Sequence, residues 1–154
     1  MNPDLKATLQ SLLASPVAAL GTLRDGAPFV SMVPVAPDAG GLLIHVSGLA
    51  AHTRDLRADA RMSLLFMAPL GADTDPLALP RLTLQGEAEE LDRDSAAHAD
   101  AAQRYLARFP QAEQTLGLGD FAFFLLRPHS GRLVAGFGQA LSLGAQDILQ
   151  GLPR

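Results

Sequence analysis

A chain of 154 residues with 48% apolar and 18% charged residues suits one compact domain, 1–154, and leaves little room for two. It has no cysteine, which excludes disulfide frameworks, thiolate nucleophiles, zinc ribbons and iron–sulfur clusters. Twelve basic against sixteen acidic residues give a net charge of −4 with the positives dispersed, so no nucleic-acid footprint is expected.

Asn2 followed by Pro3 starts a helix, since Asn caps free amides and Pro occupies the first turn without losing a bond. Leu5, Leu9, Leu12 and Leu13 repeat at helical spacing, and the helix ends near Ser15-Pro16. Apolar runs at 17–23 and 29–35 flank Arg24-Asp25-Gly26, whose Asp-Gly pair supplies the positive φ of a tight hairpin. After a break at 37–41, residues 42–46 are a third strand, and the three are expected to form an antiparallel meander.

Residues 51–60 interleave charges with Leu56 and Ala58 as a short surface helix does. Residues 61–67 (RMSLLFM) are a fourth strand, and 68–80, with three prolines, a loop. The stretch 81–91 alternates: Leu82, Leu84, Gly86 and Ala88 share a core face, and Arg81, Thr83, Gln85 and Glu87 a face open to solvent, ligand or partner. Ser95 or Asp94 caps a helix with Ala99, Ala102, Tyr105, Leu106 and Phe109 on one side, stopped by Pro110.

Residues 120–129 (DFAFFLLRPH) are apolar on both faces, as in a strand buried between the core and a second layer or a partner subunit. Residues 131–138 (GRLVAGFG) are the last strand, closing a barrel core of about 16–138; 139–154 is a weakly patterned C-terminal extension. Seven strands, joined mostly by short turns and without strand–helix alternation, point to a mainly β, closed or half-closed antiparallel barrel with peripheral helices.

The opening MNPDLKATLQSLLAS has no basic n-region and no long apolar block, and the longest apolar runs are far short of the ~20 residues that cross a bilayer. A cytoplasmic protein without membrane contact is expected. No P-loop, GxGxxG, HExxH or GxSxG occurs, and His45, His52, His98 and His129 are too scattered to nominate a metal site. One constellation carries chemistry: HVSGLAAHTR, 45–54, runs from a strand end through a small-residue turn into a helix. Free amides and the positive end of a helix dipole meet there and favour an anion. Ser47 and Thr53 add hydroxyls, Arg54 and His52 charge. The plainer alternative is that Ser47 or Thr53 caps the helix and Arg54 pairs with Asp55 or Asp59.

The succession of an N-terminal helix, GAPFVSMVPV, HVSGLAAHTRDL, RMSLLFM, PRLTLQGEAEEL and GRLVAGFG resembles the pyridoxamine 5′-phosphate oxidase-like superfamily, most of all its haem-utilisation (HugZ-like) branch, over residues 8–140. The resemblance implies a Greek-key split β-barrel that forms a homodimer with FMN in the cleft between subunits. It implies that Ser31, Met32 and Val33 line the flavin ring, that Ser47, Ala51, His52, Thr53 and Arg54 surround its phosphate, and that Gln85 reaches it from the fifth strand.

The sequence departs from the oxidase pattern: Ser31 stands where a basic residue is expected in the second strand, and His52-Thr53 in place of a consecutive basic pair at the phosphate turn. The Arg-rich C-terminal substrate segment and the additional C-terminal domain of many haem-utilisation relatives have no counterpart. The leading expectation is an FMN-binding oxidoreductase acting on a small molecule, with no acid or base named and no metal site. The alternatives are a haem-binding, haem-utilisation protein, its ligand drawn from the four histidines, or a cofactor-free dimeric binding protein.

Overall fold

The computed structural model describes residues 1–154. In chain order the elements are α1 (Pro3–Leu13), β1 (Val17–Arg24), β2 (Ala27–Pro34), β3 (Ala36–Asp38), β4 (Gly41–Ser47), α2 (Ala51–Ala58), β5 (Arg61–Met67), β6 (Arg81–Glu90), α3 (Ala96–Arg108), α4 (Glu113–Leu116), β7 (Phe121–Gly136), β8 (Gln139–Gly144) and α5 (Ala145–Gly151). Local signals set the ends of several of them. The Asn2 side chain accepts the Leu5 amide at 2.9 Å to cap α1, Ser95 caps α3 through the His98 amide, and Asp25-Gly26 turn β1 into β2 with φ of 51° and 80°.

The eight strands form one antiparallel sheet in the order β2-β1-β5-β6-β7-β4-β3, with β8 added to β7, and the sheet curls into a half-barrel. This corrects the expected meander. β2 pairs with β1 alone, while β4 pairs with β3 and β7, so four strands separate the second and third expected strands in the hydrogen-bonded order. The two strands expected at 120–129 and 131–138 are one strand, β7, which borders β6 throughout, β4 along its first half and β8 along its second. A bulge lets it continue through Pro128: Gln85 pairs with Ser130 and Gly86 with Pro128, so His129 is the extra residue and the proline falls where the ladder is already irregular. A Cβ on Gly86 would come within 1.9 Å of the Arg127 carbonyl oxygen, so only glycine fits opposite the bulge.

The main core lies inside the curl. Leu20, Leu64, Phe66, Leu82, Leu84, Ile44, Phe124 and Leu126 meet Leu9, Leu12 and Leu13 of α1 and Ile148 of α5 there. Residues 139–154 are thus β8 and a helix docked in the core, where a weakly patterned extension was expected; a seven-residue helix shows too little periodicity to stand out.

The outer face of β7 has its own cover. Phe123 and Leu125, with Ala36 and Leu43, pack against Ala101 and Tyr105 of α3. The second layer over this strand is therefore α3 of the same chain, and the two-faced apolarity of 120–129 needs no partner subunit. Ala99, expected on the buried side of α3, is exposed; Ala101 takes that place.

His45 of β4 lies half-buried against this second cluster, stacked on Phe123 at 4.4 Å between centroids and flanked by Phe121 and Tyr105. Burial, reinforced by the neighbouring His98 and Arg93, pushes its pKa down to about 4, and burial pushes the Tyr105 hydroxyl up to about 12. Between pH 6.5 and about 4 the unfolded chain takes up a proton that folded His45 refuses, so stability falls as pH drops through that window and this contribution levels off below it. Urea midpoints measured from pH 7 to 4 should show this decline, and His45→Phe should flatten it.

Candidate functional site

Helix α2 starts directly beyond β4, after the turn Gly48-Leu49-Ala50. Its N-cap is Ala50, which has no side chain to offer the first-turn amides, and no other side chain caps them. The two hydroxyls expected as extra donors are engaged within the turn. Fully buried Thr53 donates from Oγ1 to the Ser47 carbonyl oxygen at 2.6 Å. Ser47 Oγ donates to Asp120 Oδ2 at 3.0 Å and accepts the Leu49 amide at 3.1 Å. Neither caps the helix, and neither hydroxyl is free for a ligand.

What remains is a helix start without side-chain caps, half-buried at Ala51, with exposed Arg54 in its first turn. Arg54 pairs with neither Asp55 nor Asp59: Asp55 is bound by Arg24 and Asp59 by Arg61. An uncapped helix start with an unpaired cation attracts an anion such as a phosphate monoester or a carboxylate.

Ser31 and His52, distant in sequence, are brought together: Ser31 Oγ lies 3.0 Å from His52 Nδ1. Burial holds the His52 pKa below its usual value, only partly offset by the Asp55 carboxylate, so the ring is neutral at pH 7. The other side chains of β2 divide by strand alternation. Val33 is in the main core with 1% exposure, so its side chain lines no open surface, contrary to the expected ring contact. Met32, 66% exposed, faces away from Ser31 onto the outer surface of the sheet. Gln85 is exposed on that same outer surface, beside a groove of about 330 Å³ shared with Gly21, Val30 and Ser63. Within one chain, then, Ser31, Ala51, His52, Thr53 and Arg54 cluster around the start of α2, while Met32 and Gln85 belong to the opposite side of the sheet.

The residues that hold α2 in place escaped the sequence reading. Asp55, buried on α2, accepts Thr22 Oγ1 at 2.8 Å and Arg24 Nε at 3.2 Å, and the Arg24 guanidinium lies 3.9 Å over the Phe29 ring. Burial alone would push the Asp55 carboxyl up, but the bonds from Arg24 and Thr22 outweigh it and hold it below the usual carboxylate range. A signal was present: Thr22 falls in phase with Ala18 and Leu20 on the core face of β1, and a hydroxyl buried there requires a partner. Asp120, which fixes Ser47, has no such signal.

The family model for pyridoxamine 5′-phosphate oxidase matches residues 4–135. The chain is 27% identical over 150 residues to heme oxygenase HutZ of Vibrio cholerae, covering 97% of this chain and 84% of that protein. It is 33% identical over 147 residues to the chloroplastic heme oxygenase HOZ of Arabidopsis thaliana, covering 94% of this chain but 43% of HOZ. Among solved structures, a heme binding protein from Mycobacterium smegmatis superposes with a TM-score of 0.86 at 30% identity, covering 97% of this chain and 62% of that one. The chain therefore spans well under two thirds of HOZ and somewhat under two thirds of the mycobacterial protein.

Because Asp55 joins α2 to the β1–β2 hairpin, Asp55→Asn should lower the thermal midpoint by several degrees at pH 7. The stabilisation from Asp55 is present above the ordinary carboxylate pKa and lost as pH falls through its lowered value, so wild type and variant should converge in acid, which a series of melting curves checks.

Proposed function

Since the chain belongs to the pyridoxamine 5′-phosphate oxidase family, on its haem-utilisation branch, we propose that it is a haem-binding protein of haem utilisation. The observation that carries this is the uncapped start of α2, with exposed Arg54 in its first turn in no ion pair and His52, held by Ser31, on the same turn. The donor set fits haem: its propionates are carboxylates, suited to helix amides and a guanidinium, and a neutral imidazole suits its iron. The names of HutZ, HOZ and the mycobacterial protein support the same reading. Haem would supply redox chemistry that no side chain of this cysteine-free protein provides.

FMN is the second reading, because the same amides and Arg54 suit its terminal phosphate. Its case is weakened where the hydroxyls of Ser47 and Thr53 are already committed within the turn. Absorption titration separates the two: haem should bind at micromolar concentration or below with a defined Soret band, and perturbed flavin bands without a Soret band would transfer the function to FMN. Arg54→Ala should weaken binding of the true ligand about tenfold, the worth of one charge-assisted contact, and unchanged affinity would remove the ligand from α2.

A homodimer also forms part of the proposal, on grounds other than β7. The outer surface of β2, β1, β5 and β6 has no helix over it and exposes Val30, Met32 and Met67, while β2 offers an unpaired edge. A second copy covering this surface would bring Met32 and Gln85 to a ligand shared between protomers. Sedimentation should show a dimer at micromolar concentration, and Met32→Asp should shift it to monomer.

A further inference from the structure

We propose that the cleft between the residues that follow β6, 91–93, and those that lead into β7, 119–122, is a binding site for a small zwitterion of the α-amino acid type. The proposal is independent of the haem reading, which is tested at Arg54. The cleft has a volume of about 550 Å³, within the usual range for small-molecule sites, and its third side is formed by Gly48 and by Arg57 of α2.

The charges on its wall are only partly used by the fold. Arg93 donates through Nη2 alone, to the carbonyl oxygens of Leu118 and Phe121, which leaves Nε and Nη1 without partners. Asp120 accepts the Ser47 hydroxyl on Oδ2 and nothing on Oδ1, and Asp92 accepts the Asp94 amide on Oδ1 and nothing on Oδ2. Arg93 is bonded to the residue next to Asp120, so both line one cleft, yet they form no ion pair with each other. A cation and an anion kept apart in this way are bridged by a ligand that carries both charges at close spacing, its carboxylate on the guanidinium and its ammonium on the carboxylate. The remaining pair on the wall is closed to a ligand, because Arg57 commits Nε and Nη2 to Glu90. One available positive group against two negative ones disfavours a plain anion. Leu91, Phe121 and Ala122 give the cleft its apolar part, against which a short aliphatic side chain can lie. Gly48 keeps the floor low: a Cβ there would stand 2.8 Å from the Asp120 carbonyl oxygen and 3.7 Å from Arg57 Nη1.

The test titrates the full-length protein by calorimetry with leucine, with 4-methylpentanoate, which lacks the ammonium, and with isopentylamine, which lacks the carboxylate. Leucine should bind with a Kd of about 1 mM or below, and each single-charge analogue about tenfold or more weakly. Arg93→Gln should weaken leucine about tenfold and leave isopentylamine unchanged, whereas Asp120→Asn should weaken leucine and leave 4-methylpentanoate unchanged. Melting curves show whether the variants are folded, and the wild-type comparison decides without them. No binding of leucine at about 10 mM, equal binding of leucine and 4-methylpentanoate, or unchanged leucine affinity in folded Arg93→Gln would each overturn the site.

Discussion

Strand β7 has no solvent face along most of its first half, and the rest of the molecule is arranged to make that possible. Its inward residues Phe124 and Leu126 enter the core of the curled sheet, and its outward residues Phe123 and Leu125 are closed off by α3. Removing a side chain such as Phe123 would cost roughly 3–5 kcal/mol in the usual range for buried aromatics, a large part of the stability of a domain this size. Arg104 of α3 reaches Asp38 at the end of β3, and Arg108 reaches the carbonyl oxygen of Ala14 at the end of α1. Polar contacts at its edges thus set the position of a helix held down by apolar burial.

The same strand fixes the candidate site where it begins. Asp120, just before β7, binds Ser47 through its carboxylate and Gly48 through its carbonyl oxygen. Asp55, one turn into α2, is held by Thr22 and Arg24. The turn and the helix are thereby tied from both sides, and every hydroxyl that could have capped the helix is occupied in tying them. Rigidity and an open helix start have one cause.

Much of this architecture was readable in the residues because it rests on local rules. The cap at Asn2, the Asp25-Gly26 turn, the alternation of β6 and the stop at Pro110 each involve a few neighbours, and a half-barrel follows from strands too numerous and too short-linked for a parallel sheet. Strand order was not readable in this way. Nothing in residues 29–35 says that their strand is an edge or that β4 will seek β7, since register depends on distant partners. At the site, the turn and Arg54 were legible from small residues leading into a helix. The Ser31–His52 bond was not, because residues 21 positions apart meet only once the sheet has curled.

Ser31 and Met32 are joined by a single peptide bond, yet one side chain meets α2 and the other the outer surface of the sheet. A pleated strand cannot tilt one of them without carrying the other along. The two surfaces are therefore separated by no more than the thickness of one strand, so the tilt of β2 sets at once where Met32 stands on the outside and where Ser31 meets His52 on the inside.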